Sequence, residues 1–263
     1  MDIARLSACT FPLRERPWQE ALETIARAGY RKVDLLGRAP HLTLDPAECD
    51  PAQIRAAADA LGLQIANLGT YVGRGFAAED EAAREAELAQ ARRAIDVAVV
   101  FGARSIRVMP GDDNPAHIDR IAPWFARVAE YAAAKDVFMG FETHGGGISG
   151  SITHARALCE AVGSPHFGVL MDPCNVMGAG VDYRMALWEL REHIAHVHIK
   201  DGAVTMDKGF ARTMLGEGQI DYPWVLEALD KIGYDGDLAL EYELPAPPAE
   251  EGLVAFLEAA RRL

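Results

Sequence analysis

Four residues near the ends of four successive apolar segments are of types that could act together: Glu142, Asp172, His198 and Glu241. Three carboxylates and one imidazole suit Mn2+, Mg2+, Co2+ or Zn2+, and donor type alone does not choose among these ions. Gathering several carboxylates in one buried place costs several kcal/mol each unless a cation neutralises them or they stay protonated. One divalent metal ion is the simplest solution. Taken singly, a glutamate at a strand end is ordinarily a solvated rim residue, and an inward histidine ordinarily a satisfied core residue. All four on successive strands, at matching depth, are read as a metal centre.

That depth follows from strand parity, because successive strand side chains point to opposite faces. In Val137–His144 one face carries Val137, Met139 and Phe141, the other Phe138, Gly140, Glu142 and His144. In Phe167–Asp172 the split is Phe167, Val169, Met171 against Gly168, Leu170, Asp172. Ala195–Lys200 divides into Ala195, Val197, Ile199 and His196, His198, Lys200, and Leu238–Glu243 into Leu238, Leu240, Tyr242 and Ala239, Glu241, Glu243. One face of each segment is apolar and suited to packing under helices. The other turns polar toward its C-terminal end.

The elements that must hold these residues repeat in order. A helical stretch ends in glycine and a short apolar run follows at ARAGYRKVDLL, DALGLQIANL, VVFGARSIRVM and DKIGYDGDLAL. Glycine leaves a helix through a left-handed backbone angle, so each is read as a helix end feeding a strand. AAKDVFMGFE, AVGSPHFGVLMD, REHIAHVHIK and an opening IARLSACT bring the strand candidates to eight. Amphipathic helices are expected at about 17–28, 51–61, 80–101, 115–135, 152–162, 182–192 and 222–232, with a closing one near 250–262. Strands alternating with helices imply parallel βαβ units, and eight of them a closed (β/α)8 TIM barrel spanning 1–263 as a single domain. The loops look short except near 69–79 and 201–221, and long loops at strand C-termini are where barrels of this kind place their sites. Pro245-Ala-Pro-Pro248 reads as a loop before the last helix.

Composition limits the function classes. The formal net charge is −13, which argues against an extended nucleic-acid surface or an anionic membrane surface, since either needs a basic patch. Half of the 263 residues are apolar, enough for a large core without staples. Cys9, Cys49, Cys159 and Cys174 show no CxxC spacing and are read as reduced thiols of a cytoplasmic protein. No secretory signal is expected of MDIARLSACTF, and no membrane span of the remainder. Gly145-Gly146-Gly147 and Gly216-Glu217-Gly218 lack the context of a nucleotide site.

The segments GFETHGG (140–146), LMDPCN (170–175), HVHIKD (196–201), LGEGQIDYPWVLEAL (215–229) and YDGDLALEYE (234–243), in this order and spacing, resemble the xylose-isomerase-like sugar phosphate isomerase/epimerase superfamily. The resemblance implies a metal held by Glu142, Asp172, His198 and Glu241, with Glu142 and Glu241 also serving as acid and base. Arg212 stands four residues before Gly216, where some isomerase members carry a substrate-binding arginine. The superfamily also contains the endonuclease IV group, which holds three zinc ions with additional histidines. This chain has Asn175 and Arg212 at two of those positions and no histidine in NLGTYV (67–72), which counts against a trinuclear phosphodiesterase.

The expected chemistry is proton transfer beside a carbonyl. A metal that polarises the carbonyl makes the neighbouring carbon acid stronger, and two carboxylates can remove and return the proton. Return to the same carbon from the other face epimerises a sugar or polyol; return to its neighbour isomerises it. An inosose-type dehydratase would use the same metal and the same first step. Lys200, His144, Asn175, Arg107 and Arg212 are the expected substrate contacts, with Lys200 equally well placed to pair with a carboxylate. His196 is expected to hydrogen-bond within the barrel and Asp201 to shape its loop. The partner is a small-molecule sugar or polyol, with the oligomeric state, homo-oligomers included, left open.

Overall fold

The computed structural model describes residues 2–207 and 209–263. Its strands are β1 Leu6–Cys9, β2 Lys32–Leu36, β3 Gln64–Gly69, β4 Ser105–Val108, β5 Phe138–Glu142, β6 Phe167–Met171, β7 Ile194–Ile199, β8 Asp201–Thr205, β9 Gly209–Thr213 and β10 Leu238–Leu240. The helices are α1 Trp18–Arg27, α2 Pro51–Ala60, α3 Glu81–Phe101, α4 Ile118–Ala133, α5 Ile152–Val162, α6 Pro173–Gly178, α7 Tyr183–Glu189, α8 Tyr222–Lys231 and α9 Ala249–Ala260. Strands β1–β7 and β10 form a closed parallel barrel in the order β1-β10-β7-β6-β5-β4-β3-β2. This is the expected (β/α)8 architecture.

Local chemistry explains the boundaries. Asp50, Asp80, Ser151, Asp182 and Asp221 each accept a backbone N–H at the start of the following helix, satisfying donors that the first turn leaves without partners. The four glycines read as helix exits, Gly29, Gly62, Gly102 and Gly233, all have positive φ, between 67° and 94°. A side chain there would meet the steric cost of the left-handed region.

The apolar strand faces pack outward beneath the helices. Val33, Leu35, Leu68, Ile106, Met139, Phe141, Val169, Val197, Ile199 and Leu240 are all essentially inaccessible to solvent. Phe125, Phe141 and Phe167 continue this layer, with ring centroids 4.7 and 5.9 Å apart along the chain of contacts. The barrel interior is different. Ser7, Asp34, Asn67, Ser105, His196 and His198 are buried there and polar; all but Ser7, whose hydroxyl has no hydrogen-bond partner, belong to one hydrogen-bonded network.

Three features depart from the sequence reading. Segment 201–221 is not simply a loop: β8 and β9 pair antiparallel from Asp201↔Thr213 to Thr205↔Gly209 as a separate two-stranded sheet. A short helix, α6, begins directly after Asp172. The connection 37–50, not foreseen as long, joins β2 to α2. All four cysteines are free. Among the described residues, no helix is long and apolar enough to cross a membrane.

Candidate active site

The site lies at the C-terminal end of the barrel. Glu142 ends β5, Asp172 follows β6 and caps α6, His198 lies within β7, and Glu241 follows β10. One ligand atom from each lies within 4.8 Å of those from the other three. Strand register does not place them at one level. Glu142 pairs with Leu170 and Leu170 with His196, whereas His198 pairs with Ala239. The expectation of matching depth therefore fails along the ladder and holds only in space. Closing a barrel tilts and staggers its strands, so residues at one height come from shifted registers.

The charges are densely interlocked. Glu142 Oε2 accepts from Arg107 Nη1 at 3.0 Å and Glu142 Oε1 from Asn175 Nδ2 at 2.9 Å. His198 Nδ1 lies 3.2 Å from Glu241 Oε2 and 3.7 Å from Glu142 Oε1. The Lys200 ammonium lies 2.5 Å from Glu241 Oε2, 2.9 Å from Glu243 Oε2, 3.0 Å from Asp172 Oδ2 and 3.9 Å from Glu142 Oε1. Lys200 thus pairs with carboxylates, one of the two roles weighed for it, and it also lines the cavity described below.

Burial opposes ionisation of Glu142 and Glu241. For Glu142 that opposition is outweighed by His198, Lys200 and Arg107, and its carboxyl sits well below the usual range. For Glu241 it is outweighed by Lys200 and His198, which bring the carboxyl to about 2. Asp172 goes the other way. Burial, reinforced by Glu142 and Glu241, exceeds the help from Lys200 and pushes it up to about 6.

These residues fit a divalent cation. Asp172 Oδ1 accepts the Asn175 backbone N–H, while the buried Oδ2 makes no hydrogen bond and is met by charge alone, the Lys200 ammonium 3.0 Å away. One ammonium shared among four carboxylates leaves the buried Asp172 carboxylate incompletely compensated, and a cation among three carboxylates and an imidazole nitrogen would offset that cost. The elevated Asp172 carboxyl agrees: burial raises it first, and the neighbouring Glu142 and Glu241 charges add to that.

A cavity of about 260 Å3 opens above the cluster, lined by Phe11, Tyr71, Arg107, Glu142, His144, Lys200, Glu241 and Glu243 among others. His144 is exposed at its rim. Arg107 stacks on the Tyr71 ring, and its Nη2 is buried without a hydrogen-bond partner. Arg212, on β9, pairs with Glu243 at 2.8 Å and reaches Asn175 Oδ1 at 3.4 Å. Thus Arg107, His144 and Lys200 line the cavity, while Asn175 and Arg212 stand behind its acidic residues. Asp201 shapes its loop as expected: its carboxylate accepts from the amides of Gly202, Gly216, Gly218 and Ile220. The amides of Gly216 and Gly218 are therefore spoken for. Cys174 is buried, and burial pushes its thiol up, as befits a packing residue.

Sequence reasoning missed Asp34. It is 4% exposed within β2, and its Oδ2 lies 3.0 Å from His196 Nε2 and 3.2 Å from His198 Nε2. A signal was available: KVDLL places one carboxylate inside an otherwise apolar strand. Cys9, Asp34 and His198 form a second group close enough to share an ion, on the opposite side of the same imidazole.

A family model described as the xylose isomerase-like TIM barrel matches residues 22–261. The chain belongs to the xylose isomerase-like TIM barrel family. The L-ribulose-5-phosphate 3-epimerase UlaE of Escherichia coli (strain SMS-3-5 / SECEC) is 26% identical to it over 246 residues, covering 89% of this chain and 86% of that protein. A solved xylose isomerase-like TIM barrel protein from Mycobacterium smegmatis, in complex with magnesium, matches with a TM-score of 0.80 at 17% identity, over 97% of this chain and 96% of that one. The probable 3-DHS dehydratase AsbF from Bacillus anthracis matches with a TM-score of 0.77 at 18% identity, over 98% of each chain. Both structural likenesses concern the xylose isomerase-like TIM barrel fold.

Proposed function

We propose that this chain is a divalent-metal-dependent epimerase of a keto sugar or sugar phosphate. The carrying observation is that Glu142 and Glu241, on strand ends three places apart in the barrel, line one cavity while each supplies an atom to the same four-residue cluster. The naming of relatives as L-ribulose-5-phosphate 3-epimerases and the magnesium held by a structural neighbour support the same reading.

Glu142, Asp172, His198 and Glu241 would hold the ion. When bound, it supplies Lewis-acid polarisation of a substrate carbonyl, which stabilises the enediolate charge that develops next to it. Glu142 and Glu241 are both held ionised, so each can remove a proton from a carbon placed in the cavity. The other glutamate returns a proton to the opposite face, having taken it from solvent. Arg107 and Asn175 orient Glu142 from its two sides, and Lys200 holds Glu241. Fixing both groups before substrate arrives removes an orientational cost from the barrier.

The test is turnover of L-ribulose 5-phosphate and of unphosphorylated ketoses by Mn2+- or Mg2+-loaded protein in D2O, read by NMR and mass spectrometry. The expected product is an epimer with one deuterium at the inverted carbon. An ultraviolet-absorbing enone would redirect the reading to dehydration. Absence of deuterium at any carbon across ketoses, ketose phosphates and inososes would overturn proton transfer altogether.

A further inference from the structure

Below the four-residue cluster, a continuous polar chain crosses the barrel interior. Ser105 Oγ donates to Asn67 Oδ1 at 2.7 Å, Asn67 Nδ2 donates to Asp34 Oδ1 at 2.9 Å, and Asp34 Oδ2 meets the Nε2 atoms of His196 and His198. Every member is buried, from Ser105 at 1% exposure to Asp34 at 4%. Three strands, β2, β3 and β4, thus converge on one carboxylate that serves residues of a fourth, β7.

The arrangement constrains where protons sit. Asn67 turns its amide NH2 toward Asp34 because its carbonyl is taken by Ser105. Asp34 therefore has donors at both oxygens and serves as acceptor throughout. Both imidazoles must then carry a proton on Nε2. For His198 this leaves Nδ1, the atom facing Glu241 and Glu142, to offer a lone pair. Without Asp34 the preference would reverse. Glu241 at 3.2 Å would attract the proton to Nδ1, turning the lone pair away from the cluster.

We propose that Asp34 is a positioning residue that fixes the Nε2–H form of His198, so that Nδ1 is presented to the ion, with Asn67 and Ser105 setting the angle of Asp34. This rests on the reading of His198 as a metal ligand. Groups that orient a ligating imidazole typically change metal affinity about 10- to 100-fold when altered.

The experiment combines nitrogen-15 histidine NMR with metal titration. His198 resonances are identified by their loss in His198→Gln, and spectra are recorded without metal and with Mg2+ or Zn2+. The expected result is a proton on His198 Nε2 in both states, with the Nδ1 signal shifting as metal is added. A bare Nε2 in either state overturns the proposal, and this readout on the unaltered chain needs no variant to fold. Failure of the metal reading shows separately, as a Nδ1 signal that ignores every metal. In the isosteric Asp34→Asn chain, the expected calorimetric Kd for Mn2+ is about 10- to 100-fold weaker, with Nε2 deprotonated in part of the population. A cooperatively folded Asp34→Asn chain whose Kd stays within twofold of the original also overturns it. Asn67→Ser, which loosens Asp34 without removing it, is expected to weaken binding by less than Asp34→Asn; an effect as large as that of Asp34→Asn would place the control in Asn67 and overturn the assignment to Asp34.

Discussion

Arg107 Nη1 grips Glu142 Oε2 from one side while the other oxygen of that carboxylate is held by the Asn175 amide, leaving the group no free rotation. The grip is one half of a planar fork, with Nε donating to the Thr70 carbonyl. Arg107→Lys keeps the charge and loses the fork. We expect kcat to fall by about 10- to 100-fold with KM within threefold, since a small misplacement of a reacting group carries a penalty of that order. Steady-state kinetics on a chain of unchanged melting temperature decides; an unaltered kcat would show that Glu142 needs no such support.

Removing metal is expected to lower stability without unfolding the chain, because Lys200 already offsets part of the buried negative charge. At a free metal concentration about 100 times Kd, binding stabilises by about 2.7 kcal/mol. For a chain of this length that corresponds to roughly 5–10 °C in melting temperature. Scans in EDTA and in excess Mn2+ measure it, and identical curves would contradict a metal at Glu142, Asp172, His198 and Glu241.

Asp201 carries the loop that follows β9. Its two oxygens accept four backbone N–H groups at 2.9–3.2 Å, and an amide can accept at only one of those oxygens. Asp201→Asn sets an NH2 against the amides of Gly216 and Gly218, or against those of Gly202 and Ile220. Losing two charge-assisted bonds is expected to cost about 3 kcal/mol in urea unfolding. A cost under about 0.5 kcal/mol would mean the loop holds itself.

His41 ties the segment after β1 to the one after β2. Its Nε2–H donates to the Leu13 carbonyl at 3.0 Å, and Nδ1 accepts from the Thr10 hydroxyl at 2.9 Å. Burial, more than the nearby Arg38, lowers its titration below 6.5. A histidine depressed in the folded state is fully favourable above its unfolded pKa, near 6.5, and loses that contribution as pH falls through the folded value. The melting-temperature advantage of the natural chain over His41→Gln should be constant from pH 7 to 8 and shrink from 6.5 toward 5. An advantage that grows on acidification would refute the assignment.

The barrel and its four central residues were legible because both rest on local rules. Strand parity at Phe138–Glu142 and Ile194–Ile199 holds wherever one face is buried under helices, and glycine at a helix end has a local steric cause. Asp34 was not legible in the same way. Parity puts it inside the barrel, but only closure carries β2 across to His196 and His198, 162 and 164 residues later. The β8–β9 hairpin escaped for a different reason: DGAVT and GFART have partly exposed faces and little apolar alternation, and their pairing rests on backbone bonds and on Phe210 packing over Gly178 and Gly202. Nor could the four carboxylates around Lys200 be read from the sequence, since they come from the ends of β5, β6 and β10 and meet it only on barrel closure.

That hairpin forms a two-stranded sheet separate from the eight barrel strands, yet it carries Arg212 to the edge of the site. Residues added to or removed from its turn would reshape the rim and leave the register of the barrel as it is. Substitutions in this one ribbon can therefore alter the rim while Glu142, Asp172, His198 and Glu241 stay on the strands of the closed wall and at their C-terminal ends. Change at the rim and constancy at the carboxylate cluster are thereby assigned to different pieces of the chain.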